Sequence, residues 1–179
     1  MNDEKIIMKC QTIFSDDRKH RYVWFREWDK TKPTATIIMI SPGQSDNVTS
    51  DLTTMLCVNN CYDLGFGSVY IVNLYSLLGI TSGGRVKLTE KSNADTDKYI
   101  RAAVEKSETV ILAWGSAGSS GKEIEGRVKA VEQLLSSYDN KLYLISDGKY
   151  RTGLHPLFPG VRKGWELTPY PIQREEKQA

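Results

Sequence analysis

The chain has 179 residues, the length of one ordinary domain rather than two. With 40% hydrophobic and 26% charged residues and ordinary Gly and Pro usage, it is not a disordered chain, a collagen or a disulfide-stapled miniprotein. A formal net charge of +2 neither requires nor excludes a nucleic-acid partner, since a local basic face would suffice.

The amino terminus, MNDEKIIMKC, carries acids and has no apolar segment of signal-peptide length. No apolar run is long enough to cross a bilayer. A cytoplasmic protein with no membrane partner is the expectation. Arg21 to Trp28 is rich in aromatic and β-branched residues and reads as an N-terminal edge strand or hairpin arm. Thr36 to Ile40 is a continuous apolar run, the pattern of a strand buried on both faces. It stops at Ser41-Pro42-Gly43, and a polar loop runs on to Asp51. Asp51 is placed to cap a helix from Leu52 to about Asp63. Leu64-Gly65-Phe66-Gly67 ends that helix, and Val69 to Leu74 is a second buried strand.

Thr81 to Lys91 reads as a loop. Asn93 or Asp95 caps a helix through Lys106, with Tyr99, Ile100, Ala103 and Val104 inward. Thr109 to Ala113 is a third strand, ending in Trp114-Gly115-Ser116. Ile124, Val128, Val131, Leu134 and Leu135 follow helical spacing, which predicts an amphipathic helix over Lys122 to Ser137. Lys141 to Ile145 is a fourth strand, ending in Ser146-Asp147-Gly148. His155-Pro156 follows, and residues 171–179 form a tail expected to fray.

Strands alternating with helices at this spacing predict an α/β fold: a three-layer sandwich on a four-stranded parallel central sheet, plus the N-terminal edge strand or hairpin. Residues 1–179 are expected to form a single domain with its core at about 20–160. Ligands of such folds bind at the carboxyl ends of the strands. That selects the loops Ser41–Ser50, Asn73–Ser76, Trp114–Gly121 and Ser146–His155.

In the first loop Pro42 restricts and Gly43 frees the backbone, so amides can approach a ligand. Ser41, Gln44, Ser45, Asp46 and Asn47 add hydrogen-bonding groups; the plain alternative is a tight solvated turn. The third loop fails as a phosphate-binding P-loop. Five residues, not four, separate Gly115 from Gly121, and Glu123 follows Lys122 where the motif needs Ser or Thr. A helix opening near Gly121 still offers free amides to an anion. Trp114 offers either a stacking face or a core side chain. His155 is a candidate proton donor, or a turn residue satisfied by backbone. His20 lies in a charged stretch and reads as solvated. Cys57 and Cys61 share one side of a helix, but the further ligands that zinc needs are scattered, so they read as two reduced thiols. No cofactor is implied.

The segments Arg26-Glu27-Trp28, IIMISPGQSD, SDLTT, LGFGSVYIVNLY, ILAWGSAG and GLHPLF resemble, in order and spacing, a bacterial and phage family called domain of unknown function 1643. More distantly, the strand ending in a Pro-containing loop, the later Trp-Gly and the final His-Pro resemble the uracil-DNA glycosylase superfamily. That resemblance implies a parallel α/β sandwich and a base-binding pocket. It puts Ser41 at the water-handling position, Asn73 at a base-reading amide and His155 at the contact to the departing base. The superfamily has Asp, Asn or Glu where Ser41 stands, and a serine hydroxyl is a poor base. Asp51, matching an acidic position before Thr, is therefore the preferred acid, with Asp46 second; the alternative for Asp51 is a helix cap alone. The expected catalytic set is Asp51, His155, Ser41 and Asp46. Pro42, Gly43, Gln44, Asn73, Trp114, Gly115, Ser116 and Arg151 are expected to bind substrate. The expected ligand is a nucleobase, a nucleotide or DNA, and the expected reaction is hydrolysis of an N-glycosidic bond. The competing expectation is a binding module that uses the same pocket without turnover.

Overall fold

The computed structural model describes residues 3–79, 88–116 and 122–171. Within these, seven strands form one mixed sheet: β1 (Lys9–Phe14), β2 (Arg21–Glu27), β3 (Thr34–Met39), β4 (Ser68–Asn73), β5 (Thr109–Leu112), β6 (Leu142–Ser146) and β7 (Glu166–Pro169). The helices are α1 (Leu52–Asp63), α2 (Leu88–Lys91), α3 (Ala94–Glu105) and α4 (Lys122–Leu134). The spatial order of strands is β1-β2-β4-β3-β5-β6-β7. The β4–β3, β3–β5 and β5–β6 pairings are parallel. The β1–β2, β2–β4 and β6–β7 pairings are antiparallel.

The protein is therefore α/β, with a wider and more mixed sheet than the expected four parallel strands with one edge element. Arg21 to Glu27 is indeed a hairpin arm, but not an edge. It pairs with β1 on one side and β4 on the other, and its first six residues are buried. The edge is β1, whose KCQTIF sequence alternates too weakly to announce a strand. β7, only four residues ending in Pro169, was equally silent. Part of the stretch read as a loop over 81–91 is the short α2; residues 80–87 lie outside the described residues.

Successive strand residues face opposite sides, so each strand feeds two cores. Ile37, Ile71, Ile111 and Ile145 meet Cys57 and Cys61 of α1 on one face. Ile38, Val72, Val110 and Leu112 meet Ile100 and Val104 of α3 and Val128 and Val131 of α4 on the other. That double covering explains why β3 and β5 are buried almost throughout. α3 opens with a capping box: the Asn93 side chain accepts from the Thr96 amide, and the Thr96 hydroxyl accepts from the Asn93 amide. Among the described residues no helix is long and apolar enough to cross a membrane.

Candidate functional site

A cavity of about 270 Å³ opens where β3 runs into its loop, lined by Arg21, Met39, Ile40, Ser41, Pro42, Gly43, Asp51, Thr53, Thr54 and His155. Three segments far apart in sequence meet there: the start of β2, the stretch from β3 into α1, and the His-Pro segment after β6.

The loop after β3 is gripped from beneath by side chains of β2. Arg21 Nη1 donates to Ser45 O at 2.7 Å and to Gly43 O at 3.4 Å. Trp24 Nε1 donates to Asp46 O at 2.9 Å, and Arg26 Nη2 to the same oxygen at 2.8 Å and to Asn47 O at 3.1 Å. Buried carbonyls need such donors. This clamp was absent from the sequence reading. Its signal was present, however: two arginines inside an otherwise apolar strand must find partners.

Asp51 is both the N-cap of α1 and a cavity wall. Its Oδ1 accepts from the Thr54 amide at 2.8 Å, and its own amide donates to Ser45 Oγ at 2.9 Å. Its Oδ2 lies against Gly43; a Cβ there would come within 2.1 Å of that oxygen, so the loop needs glycine at this approach. Partial burial works to raise the Asp51 pKa. Hydrogen bonds from the Thr54 amide, Ser45 and the Thr54 hydroxyl, with the nearby Arg21 charge, outweigh it and hold the carboxyl below its ordinary range. Asp51 is thus ionised at neutral pH.

His155 faces this carboxylate's cavity from the other side. Its Nδ1 accepts from the Leu157 amide at 3.1 Å, so the neutral ring carries its proton on Nε2. Burial lowers its pKa, which keeps the ring neutral. Behind it packs the Trp-Gly turn. Gly115 has φ +63°, and a Cβ there would lie 3.0 Å from His155 Cβ. The ILAWG and GLHPL segments are therefore structural neighbours.

Arg21 was not foreseen. It is 1% exposed, and burial pushes its pKa down to about 10 against the favourable charge of Asp51. Among the described residues its Nη2 has no hydrogen-bond partner. Thr53 and Thr54, also unforeseen, line the cavity from the first turn of α1.

The other expected residues lie elsewhere. Asp46 is half-buried but outside the cavity wall, and its carboxylate accepts from the Val48 and Thr49 amides at 2.7 Å, closing its own loop. Gln44 is exposed. Asn73 is buried beside Met39 in the parallel β3–β4 register, with its Nδ2 unpartnered among the described residues, but it is not in the cavity wall. Trp114 belongs to the core on the α3–α4 face. Gly115 supports His155 from behind, and Ser116 is exposed. Arg151 is exposed, with its guanidinium 5.2 Å from the Phe158 ring centre. The loop ahead of α4 and its anion-binding reading involve residues 117–121, outside the described residues. His20 is half-buried rather than solvated, with Nδ1 2.8 Å from Ser76 Oγ. Cys57 and Cys61 are free, and burial raises both thiol pKa values, which makes them poor nucleophiles. Among the described residues no cluster of three or more His, Cys, Asp or Glu could hold a metal ion.

The fold and site define a class: an α/β protein with a polar cavity at the carboxyl end of its central strand, walled by a carboxylate, a neutral histidine and a buried guanidinium. A family model matches residues 21–157, and the chain belongs to that family, described as protein of unknown function (DUF1643). The matched span begins at Arg21 and ends two residues after His155, so it takes in every wall of the cavity. No curated protein matches the chain.

Proposed function

We propose that the cavity binds a nucleobase and that the protein hydrolyses an N-glycosidic bond, in a modified or damaged base of DNA or in a nucleotide. The observation that carries this reading is the pairing, in one cavity, of an ionised carboxylate with a neutral histidine that donates from Nε2. Cleavage of the bond between sugar carbon and base nitrogen leaves positive charge on the sugar and negative charge on the base. The Asp51 carboxylate stabilises the first and orients a water, which the Ser41 hydroxyl also holds. His155 donates a hydrogen bond to the second. Water delivers its oxygen to the sugar carbon, and its proton ends on the released base. The distant likeness of the motifs to uracil-DNA glycosylases supports the assignment, including a uracil-DNA glycosylase-like parallel core. At about 270 Å³ the cavity is just below the ~300–1,000 Å³ of drug-sized ligand sites, the scale of a small molecule. A target within duplex DNA would have to be flipped out.

The test is release of free base, read by mass spectrometry. Purified protein is incubated with nucleosides, nucleotides and single- and double-stranded DNAs carrying uracil, hydroxymethyluracil and other modified bases. Release that disappears in Asp51→Asn and His155→Ala supports the reading. No release from any substrate sinks it.

A second reading, a binding module without turnover, is favoured by two observations. Serine stands where the resemblance expects Asp, Asn or Glu, and Asp51 Oδ1 is committed to capping α1. Ligand-induced stabilisation without base release is its signature.

A further inference from the structure

Within the reading of this cavity as a nucleotide site, we infer that it takes a phosphate group of its ligand, with Arg21 as the counter-charge. Three observations converge. Arg21 lines the cavity, is 1% exposed, and has no hydrogen-bond partner for Nη2 among the described residues. Its Nη1 satisfies only loop carbonyls, which carry no net charge. Among the described residues no carboxylate lies within the 4.0 Å of an ion pair with it. A buried guanidinium whose only nearby counter-charge, Asp51, makes no direct ion pair keeps one edge free for an anionic oxygen.

The second wall points the same way. Thr53 and Thr54 belong to the first turn of α1, a helix of 12 residues, so the cavity lies at that helix's positive end. The Asp51 carboxylate shares this wall and offsets part of the positive charge, but one of its oxygens is turned away to the helix. The Asp51 Oδ1 already accepts from the Thr54 amide and hydroxyl. His155 is neutral and adds a donor. Two sources of phosphate fit: the 5′-phosphate of a free nucleotide and a phosphodiester of a single strand. The small cavity and the net charge of +2 do not call for an extended duplex surface.

The experiment measures dissociation constants for matched nucleosides, their 5′-monophosphates and short single-stranded oligonucleotides of the same base, with inorganic phosphate as competitor. The monophosphate or the oligonucleotide should bind about tenfold or more tightly than the nucleoside. A monophosphate preference assigns a free nucleotide, and an oligonucleotide preference assigns a strand. Inorganic phosphate should compete in the unaltered protein, a readout that needs no variant to fold. In Arg21→Gln, which keeps a donor for Ser45 O, the phosphate preference should collapse to about twofold or less, while Arg21→Lys keeps most of it. Equal binding of nucleoside and nucleotide, no binding of either, or an unchanged preference in Arg21→Gln overturns the inference. The hydrolase reading fails separately. A phosphate preference without base release removes turnover alone, whereas equally fast release from nucleosides and nucleotides removes the role of Arg21 alone.

Discussion

Two loops leave the carboxyl ends of neighbouring parallel strands, and they do opposite things. The loop after β3 turns its polar groups into a cavity: Ser41, Gly43 and Asp51 line it, and β2 holds its carbonyls from below. The described part of the turn after β5 sends Trp114 into the core and supports the cavity through Gly115 against His155. Both positions satisfy the rule that ligands bind at strand carboxyl ends. The difference lies in what packs behind them. α1 begins at the first loop and brings Asp51, Thr53 and Thr54 back over it, whereas the Trp114 ring is enclosed among residues of the α3–α4 face. The position of a loop nominates a site; the neighbouring elements decide whether its side chains reach a ligand.

The largest expected effects break this contrast at the first loop. Asp51→Asn retains a side-chain helix cap and removes the charge, so base release should fall by about 10²-fold or more with only a modest fall in melting temperature. His155→Ala should cost a similar factor in rate. Rates within threefold of the unaltered protein for either variant, measured by base release, would remove that residue from the chemistry.

Next come the two glycines, one in each loop. Gly43→Ala drives a methyl into Asp51 Oδ2 and should cost about 1–3 kcal/mol together with activity. Gly115→Ala meets both a positive φ and the His155 Cβ at 3.0 Å, and should cost a similar amount. Urea denaturation measures both. Loss of less than about 0.5 kcal/mol at either position would mean that the close approach is relieved by a small shift.

Trp114→Phe sharpens the contrast from the other side. A core ring should lose about 1–2 kcal/mol of stability and leave ligand affinity unchanged. Weakened binding in a protein of normal stability would instead return Trp114 to the ligand.

The smallest effect is in pH. Burial depresses the His155 pKa below 6.5, so its contribution to stability is fully present above that pH and is lost as pH falls through the folded-state value. Stability relative to His155→Phe should therefore decline between pH 7.5 and 5.5. A flat difference across that range would show His155 more solvated than its packing implies. Asp51, also depressed, acts in a lower window. Its stabilisation is present above 3.8 and is lost only on further acidification.

Much of the fold was legible in local pattern. The apolar runs of β3, β4, β5 and β6 lie within two residues of their expected ends, and α1 spans Leu52–Asp63 behind its Asp51 cap. Such signals are short-range: burial on both faces demands uninterrupted apolar residues, and a helix start demands a side-chain acceptor. The site was legible only in part. Ser41, Pro42, Gly43, Asp51 and His155 were nominated by loop position and motif likeness, and all five line one cavity. Arg21, Thr53 and Thr54 were not nominated, because no motif marks them and their role depends on strands pairing across the chain.

By itself, then, the sequence determined an α/β chain, its central strands, its helix caps and the residue types available at the strand ends. Hydrophobic period and capping are local, and they act within a few residues. Tertiary structure alone decided that β2 lies inside the sheet, that its arginines hold the loop after β3, and that Trp114 is core while Arg21 is cavity. Those outcomes rest on non-local pairing. Which buried polar group finds a partner, and which is left facing a ligand, is settled only when distant segments are packed together.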